Sequence, residues 1–298
     1  MKAALDAVRA GSDAAARREA DPVGFVHRFA DPLDQELVGL LAACLAFGNV
    51  KAIRQKLGEA LERVGARPAR AAARHGELSR ALEGWVHRVY RGEDIARLLA
   101  GAARVQREAG TLGSAFAAEL AGAGELREAL ARFCDRIRAA GGFPLRPYRP
   151  GDRRGPGHLL PDPRGTSSAK RLHLYLRWMV RPADGVDLGL WPVSPAVLLC
   201  PVDVHIHKLS QNLGLTTQNQ LTWRAAEEIT AHLRRFDPDD PVKYDFSLCH
   251  LGMLQRCPSR RDAARCEGCG VLPVCRHWAR ARRGAPPALG KAPLPLVG

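Results

Sequence analysis

The chain lacks long apolar runs, alternating β-branched segments and lysine, and each shortage narrows what it can be. No run reaches the roughly 18 apolar residues of a membrane-spanning helix, so no membrane association is expected. The N-terminus, MKAALDAVRAGSDAAARREA, has no apolar core of the signal-peptide kind, and a cytoplasmic protein is expected. That compartment disfavours disulfides. Sparse β-branched residues and the absence of alternating runs predict an all-α architecture. Lysine supplies only seven of the 45 basic residues, which stand against 31 acidic ones for a net charge of +14. Such an excess favours a polyanionic partner, nucleic acid first. A skewed genomic base composition would also leave an arginine-rich, alanine-rich chain.

A chain of 298 residues can bury one large core or two modest ones. Asp31-Pro32 opens a helix in the expected order, cap first and proline next. The run LVGLLAACLAF, Leu37 to Phe47, is apolar on nearly every side and predicts a buried central helix. A second helix carries Val50, Ile53, Leu57, Leu61 and Val64 on one stripe and stops at Gly65. Further helices are expected over Arg70–His75, Glu77–Tyr90, Ile95–Arg107 and Ser114–Ala140, the last broken around Gly122–Gly124. Residues 141 to 168 hold six Gly, six Pro and five Arg against two Asp. A loop of that length is functional or disordered, and Arg146, Arg149, Arg153, Arg154 and Arg164 suit it to backbone contacts. Helices resume at AKRLHLYLRWMVR, around Val202 to Leu213, and from Thr222 to Phe236. Residues 281 to 298 are expected to be a disordered tail.

Four cysteines stand near the C-terminus, Cys257, Cys266, Cys269 and Cys275, spaced C-x8-C-x2-C-x5-C. Four thiolates so spaced suit an iron–sulfur cluster or a tetrahedral zinc ion. Structural zinc sites mostly use two short C-x2–4-C knuckles, whereas this stretch has one, which leans towards the cluster. Cys44, Cys134 and Cys200 are expected to be buried small hydrophobes, and Cys249 is the one other thiol near enough in sequence to compete as a ligand.

A basic helical chain, a Val202-Asp203-Val204-His205 motif heading a helix, and a four-cysteine loop about fifty residues later resemble the helix-hairpin-helix (HhH-GPD) DNA glycosylases of the endonuclease III type. In that family the loop reads C-x6-C-x2-C-x5-C and binds a 4Fe-4S cluster; here the first gap is wider and the other two match. The wording RWMVR, DLGLW and LGLT is closer to an uncharacterised bacterial branch of the superfamily. The resemblance covers Leu159 to Cys275 and, more loosely, Leu37–Phe47; residues 66 to 150 find little counterpart. The family's hairpin, L-P-G-V-G-x-K-T-A, is replaced by the longer LLPDPRGTSSAKRL.

The resemblance implies two helical lobes within residues 1 to 280, a cleft near Lys170 and Asp203, and a cluster loop over residues 249 to 278. It implies base excision on double-stranded DNA by a monomer, with RNA as another polyanion the charge would serve. Asp203 is then the catalytic carboxylate, a role compatible with capping the helix that begins at Val204. Lys170 is the candidate amine nucleophile able to form a Schiff base, for which Arg is no substitute. Without it, Asp203 would activate water and the enzyme would only remove bases. Arg164, Gly165, Thr166, Ser168 and Arg171 are candidate phosphate contacts around a helix start. Arg260, Arg261 and Arg265 would present positive charge from the cysteine loop. Asn49 falls where the family often carries a polar residue near the substrate, while Trp178 and Trp191 are core or stacking residues. His205 and His207 point about 200° apart on a helix, which disfavours a shared metal. The competing readings are a non-catalytic nucleic-acid-binding protein on the same scaffold and a zinc-stapled helical protein.

Overall fold

A computed structural model describes residues 1–144 and 151–279. Arg146, Arg149, Arg280 and the expected tail at 281–298 lie outside the described residues, as does the Arg154 side chain. The described chain is mainly helical. Its first half runs α1 (Lys2–Ala10), α2 (Ala14–Ala20), a 3-10 turn (Pro22–Arg28), α3 (Pro32–Leu45), α4 (Val50–Val64), α5 (Pro68–Ala72) and α6 (His75–Ala81). A two-stranded hairpin, β1 (Val86–His87) and β2 (Tyr90–Arg91), then leads into α7 (Gly92–Ala109), α8 (Leu112–Ala123) and α9 (Leu126–Ala140). The second half contains α10 (Arg154–Leu159), α11 (Lys170–Val180), α12 (Val204–Leu213), α13 (Trp223–Arg234) and α14 (Asp245–Leu254). Two single turns, α15 (Ala263–Cys266) and α16 (Arg276–Ala279), frame the cysteine loop.

The central helix forms as its sequence dictates. Asp31 caps α3, accepting from the Leu33 N–H at 2.9 Å, and Leu37, Leu40, Leu41 and Leu45 are buried. α3 packs on the 3-10 turn, α7 and α11, so it joins both halves of the chain. Its buried Glu36 is fully bonded: it accepts from the Leu112 and Gly113 N–H groups and from Trp191 Nε1 at 2.8–2.9 Å, and from Gln106. The carboxylate therefore caps α8 from another helix, which is how a charged group tolerates that burial. Trp178 and Trp191 are both buried core residues.

One expected helix is replaced. Glu77–Tyr90 does not run through; α6 ends at Ala81 and the hairpin follows. In its β1 half, Trp85 and His87 point inward while Val86 and Arg88 face solvent; in its second half Tyr90 is buried and Val89 and Arg91 are exposed. This short segment thus has strand-like sides, and the Trp85 carbonyl accepts the Gly92 N–H. Gly92 could not be larger there, since a Cβ would collide with the Leu82 backbone.

Candidate catalytic pair and cysteine cavity

Lys170 opens α11 and Asp203 caps α12, and the fold brings them together across 33 residues of chain. The Lys170 Nζ lies 3.7 Å from Asp203 Oδ2, with the side chains 32% and 17% exposed. Both are thus reachable from solvent without being bathed in it. Asp203 divides its oxygens: Oδ1 accepts from the His205 and Ile206 N–H groups at 2.9 Å each. Oδ2 is left to face Lys170 and the thiol of Cys249, whose Sγ donates at 3.6 Å. The capping contacts and the contacts with Lys170 and Cys249 are therefore made by different atoms of one carboxylate. Burial, and then the neighbouring Asp203, push the Cys249 thiol well up, so it stays protonated and serves as a donor.

Ser168 explains why the two helix starts meet. Its hydroxyl donates to the Val202 carbonyl at 3.1 Å and its N–H to the Leu221 carbonyl at 3.0 Å, while Ser167 forms a bridge with Thr222. Two residues on from Ser168 comes Lys170; one on from Val202 comes Asp203. Between Ser168 and Lys170, Ala169 adopts φ +47°, a left-handed conformation that costs a non-glycine residue about 1 kcal/mol. Strain of that kind persists where the surroundings impose it.

The candidate phosphate contacts divide. Gly165 and Thr166 are exposed. Arg164 is half-exposed but already bonded to Asp162 at 2.9 Å and to Asp135 at 2.5 Å. Ser168 and Arg171 depart from expectation, because both are buried and internally bonded. The Arg171 guanidinium reaches the Cys44 carbonyl at 2.6 Å, Tyr90 Oη at 3.1 Å and the Leu159 and His158 carbonyls at 3.2 and 2.5 Å. It fastens the ends of α3, α10 and the hairpin to the start of α11. Arg127, which the sequence did not single out, draws in the Pro163, Arg164 and Gly165 carbonyls at 2.8–3.2 Å and lies over the Trp223 ring. Asn49 caps α4 through the Ala52 N–H at 3.2 Å.

All four cysteines of the C-terminal loop line one small cavity, walled by Leu209, Val271, Leu272 and Trp278. Cys266 and Cys275 are buried, Cys257 and Cys269 partly so. Burial raises the Cys257, Cys269 and Cys275 thiols, and N–H donors oppose it. Asn212 Nδ2 lies 3.1 Å from Cys257 Sγ, the Val271 and Leu272 N–H groups serve Cys269, and those of His277 and Trp278 serve Cys275. Donors aimed at sulfur favour thiolate, and a set of four soft ligands suits zinc or iron. Among the described residues, no three His, Cys, Asp or Glu side chains form a group that could hold a metal ion. Cys249 is at Asp203 and not in this cavity, so it does not compete as a fifth ligand.

Arg260, Arg261 and Arg265 are exposed on the loop; Arg261 stacks on Trp278 at 4.0 Å and Arg265 pairs with Asp262 at 3.4 Å. His205 and His207 diverge, as their spacing predicts: His207 Nε2 lies 3.0 Å from the Gln218 carbonyl, whereas His205 packs against Gly252.

No curated protein and no solved structure matches the chain. One family model does, over residues 21–254, a span that holds Lys170, Asp203 and Cys249 and stops short of the cysteine loop. As that span is well over half of the sequence, the chain belongs to the family described as "Protein of unknown function (DUF2400)".

Proposed function

We propose that the protein is a DNA glycosylase of the helix-hairpin-helix type, acting on a base rotated out of a duplex. The observation that carries the reading is the Lys170–Asp203 pair: an amine and a carboxylate 3.7 Å apart at two helix starts, both accessible. A flipped base is required because its glycosidic bond is out of reach inside the stack. Lys170, as the free amine, attacks the sugar C1′; the C1′–N bond to the base breaks and the base departs with the electron pair. The amine's proton passes to Asp203 Oδ2, which returns it to the ring oxygen O4′ as the C1′–O4′ bond breaks, leaving a protonated Schiff base on Lys170, while the departed base takes a proton from water. With water in place of the amine, the same carboxylate takes the water's proton and only base removal follows.

Cys257, Cys266, Cys269 and Cys275 would hold a 4Fe-4S cluster, with zinc as the other metal the four thiolates suit. The cluster would supply structural bracing for the loop that carries Arg260, Arg261 and Arg265. The cavity that the four cysteines share and the N–H donors on their sulfurs support a thiolate-bound metal.

Borohydride trapping on duplexes carrying damaged bases or an abasic site tests the reading. A covalent adduct is expected, absent in Lys170→Ala. Base release should fall at least about a hundredfold in Asp203→Asn. Neither adduct nor base release across a broad panel of lesions would sink the enzyme and leave a binding protein.

A further inference from the structure

A second positively charged site lies on the hairpin, in the region where the glycosylase resemblance ends. Val86, Arg88, Val89, Arg91 and Arg153 line an open hollow of about 420 Å³ with no acidic residue among them. Arg153 is anchored to Asp94, whereas among the described residues no ion pair engages Arg88 or Arg91. The two-residue turn between the strands places Arg88 at φ +55°, where glycine is the usual occupant. The arginine is not loosely held: its guanidinium lies 4.5 Å from the centre of the Phe47 ring and against Gly48, where even a Cβ would collide with it. A long cation kept at a strained backbone position, and braced on an aromatic face, is presented rather than merely solvated.

The hollow is also tied to the catalytic pair. Tyr90 in β2 accepts from Arg171, the residue after Lys170, and contacts His158 Nδ1 at 2.6 Å. Resting on the reading given above, we propose that the hairpin hollow binds backbone phosphates of duplex DNA beside the flipped base, with Arg88 and Arg91 as the contacting residues. Charge complementarity selects the occupant: the chain carries +14, and the hollow adds the guanidinium groups of Arg88 and Arg91, unpaired among the described residues, beside exposed Val86 and Val89.

Fluorescence anisotropy of a labelled duplex across a salt series, with the full-length protein, decides it. Each phosphate contact contributes a slope of about 0.9 in log K against log salt. The Arg88→Gln, Arg91→Gln double variant should therefore lose about 1.8 of slope and bind about tenfold to a hundredfold more weakly at about 0.1 M salt. Arg91→Gln alone should lose about half of that slope, which covers the case in which loss of Arg88 disturbs Phe47. A control pair, Arg104→Gln with Arg132→Gln, removes the same charge from α7 and α9 and should leave the slope within about 0.3 of the parent. An equal loss in the control, or an unchanged slope in the hairpin variants, overturns the hairpin site while leaving the catalytic reading intact. A slope change confined to duplex RNA overturns the assignment to DNA. Failure of the unsubstituted protein to bind any duplex overturns both readings.

Discussion

His173 lies one turn into α11 with its ring fully buried, neither nitrogen hydrogen-bonded among the described residues, and the Trp223 ring 4.7 Å away. Burial pushes its pKa down from 6.5 to about 3. The unfolded chain binds this proton below about pH 6.5 and the folded chain does not, so stability is full above that value and falls as pH is lowered towards 3. Between pH 7.5 and pH 5 the loss amounts to about 2 kcal/mol. Denaturant titration of the parent and of His173→Phe at both pH values checks this: the substitution should remove most of that difference. An identical pH difference in both proteins would show that His173 is not its source. Lys170 stands three residues earlier on the same helix.

At the scale of elements, what could be read ahead of the fold depended on local signals. α3 and α12 announce themselves through Asp31 and Asp203 at their starts, and both side chains cap as expected, whereas Asn49, expected near the substrate, caps α4. The hairpin escaped because Trp85 to Tyr90 is too short to establish a period and sits inside a helical neighbourhood. Arg171 and Ser168 look like surface residues beside a glycine loop; their burial follows from contacts with Cys44 and Val202, remote in sequence. The Cys249 contact with Asp203 likewise joins residues 46 apart and has no local signature. The four loop cysteines stood out because they fall close together in sequence, and the structure sets all four around one cavity. The loop's one-turn helices, α15 and α16, are too short to stand alone. On the proposed cluster assignment, a chelator under oxidising conditions should therefore abolish visible absorbance and open residues 257–275 to protease, while the α3 core stays resistant. Limited proteolysis with mass spectrometry reads the result, and cleavage within α3 at the same rate would count against a locally stapled loop.

Across the molecule, buried charge rather than apolar packing alone joins the second half of the chain. Arg177 pairs with Asp187 at 3.0 Å and with Asp245, and Arg181 pairs with Asp187, with Asp184 at 3.0 Å and with Asp240 at 2.9 Å. The network links α11, the turn after it, the segment before α14 and α14 itself. Arg177→Met leaves Asp187 and Asp245 without that partner and should cost about 3–5 kcal/mol in a denaturant titration. A loss below about 1 kcal/mol would mean that water or Arg181 replaces the guanidinium.

α12 carries Asp203 at its first end and, near its last, Asn212, whose side chain bonds Cys257 and His277 beside the cysteine cavity. Nine residues of helix separate them, a rod of about 14 Å. Pivoting such a rod by about 5° at its cysteine end swings the other end through about 1 Å, and a misplacement of that size costs a reaction about a hundredfold in rate. On the proposed reading the thiol loop is the bearing of a lever: slack there would be felt as misaim at the carboxylate, at the opposite end of the helix.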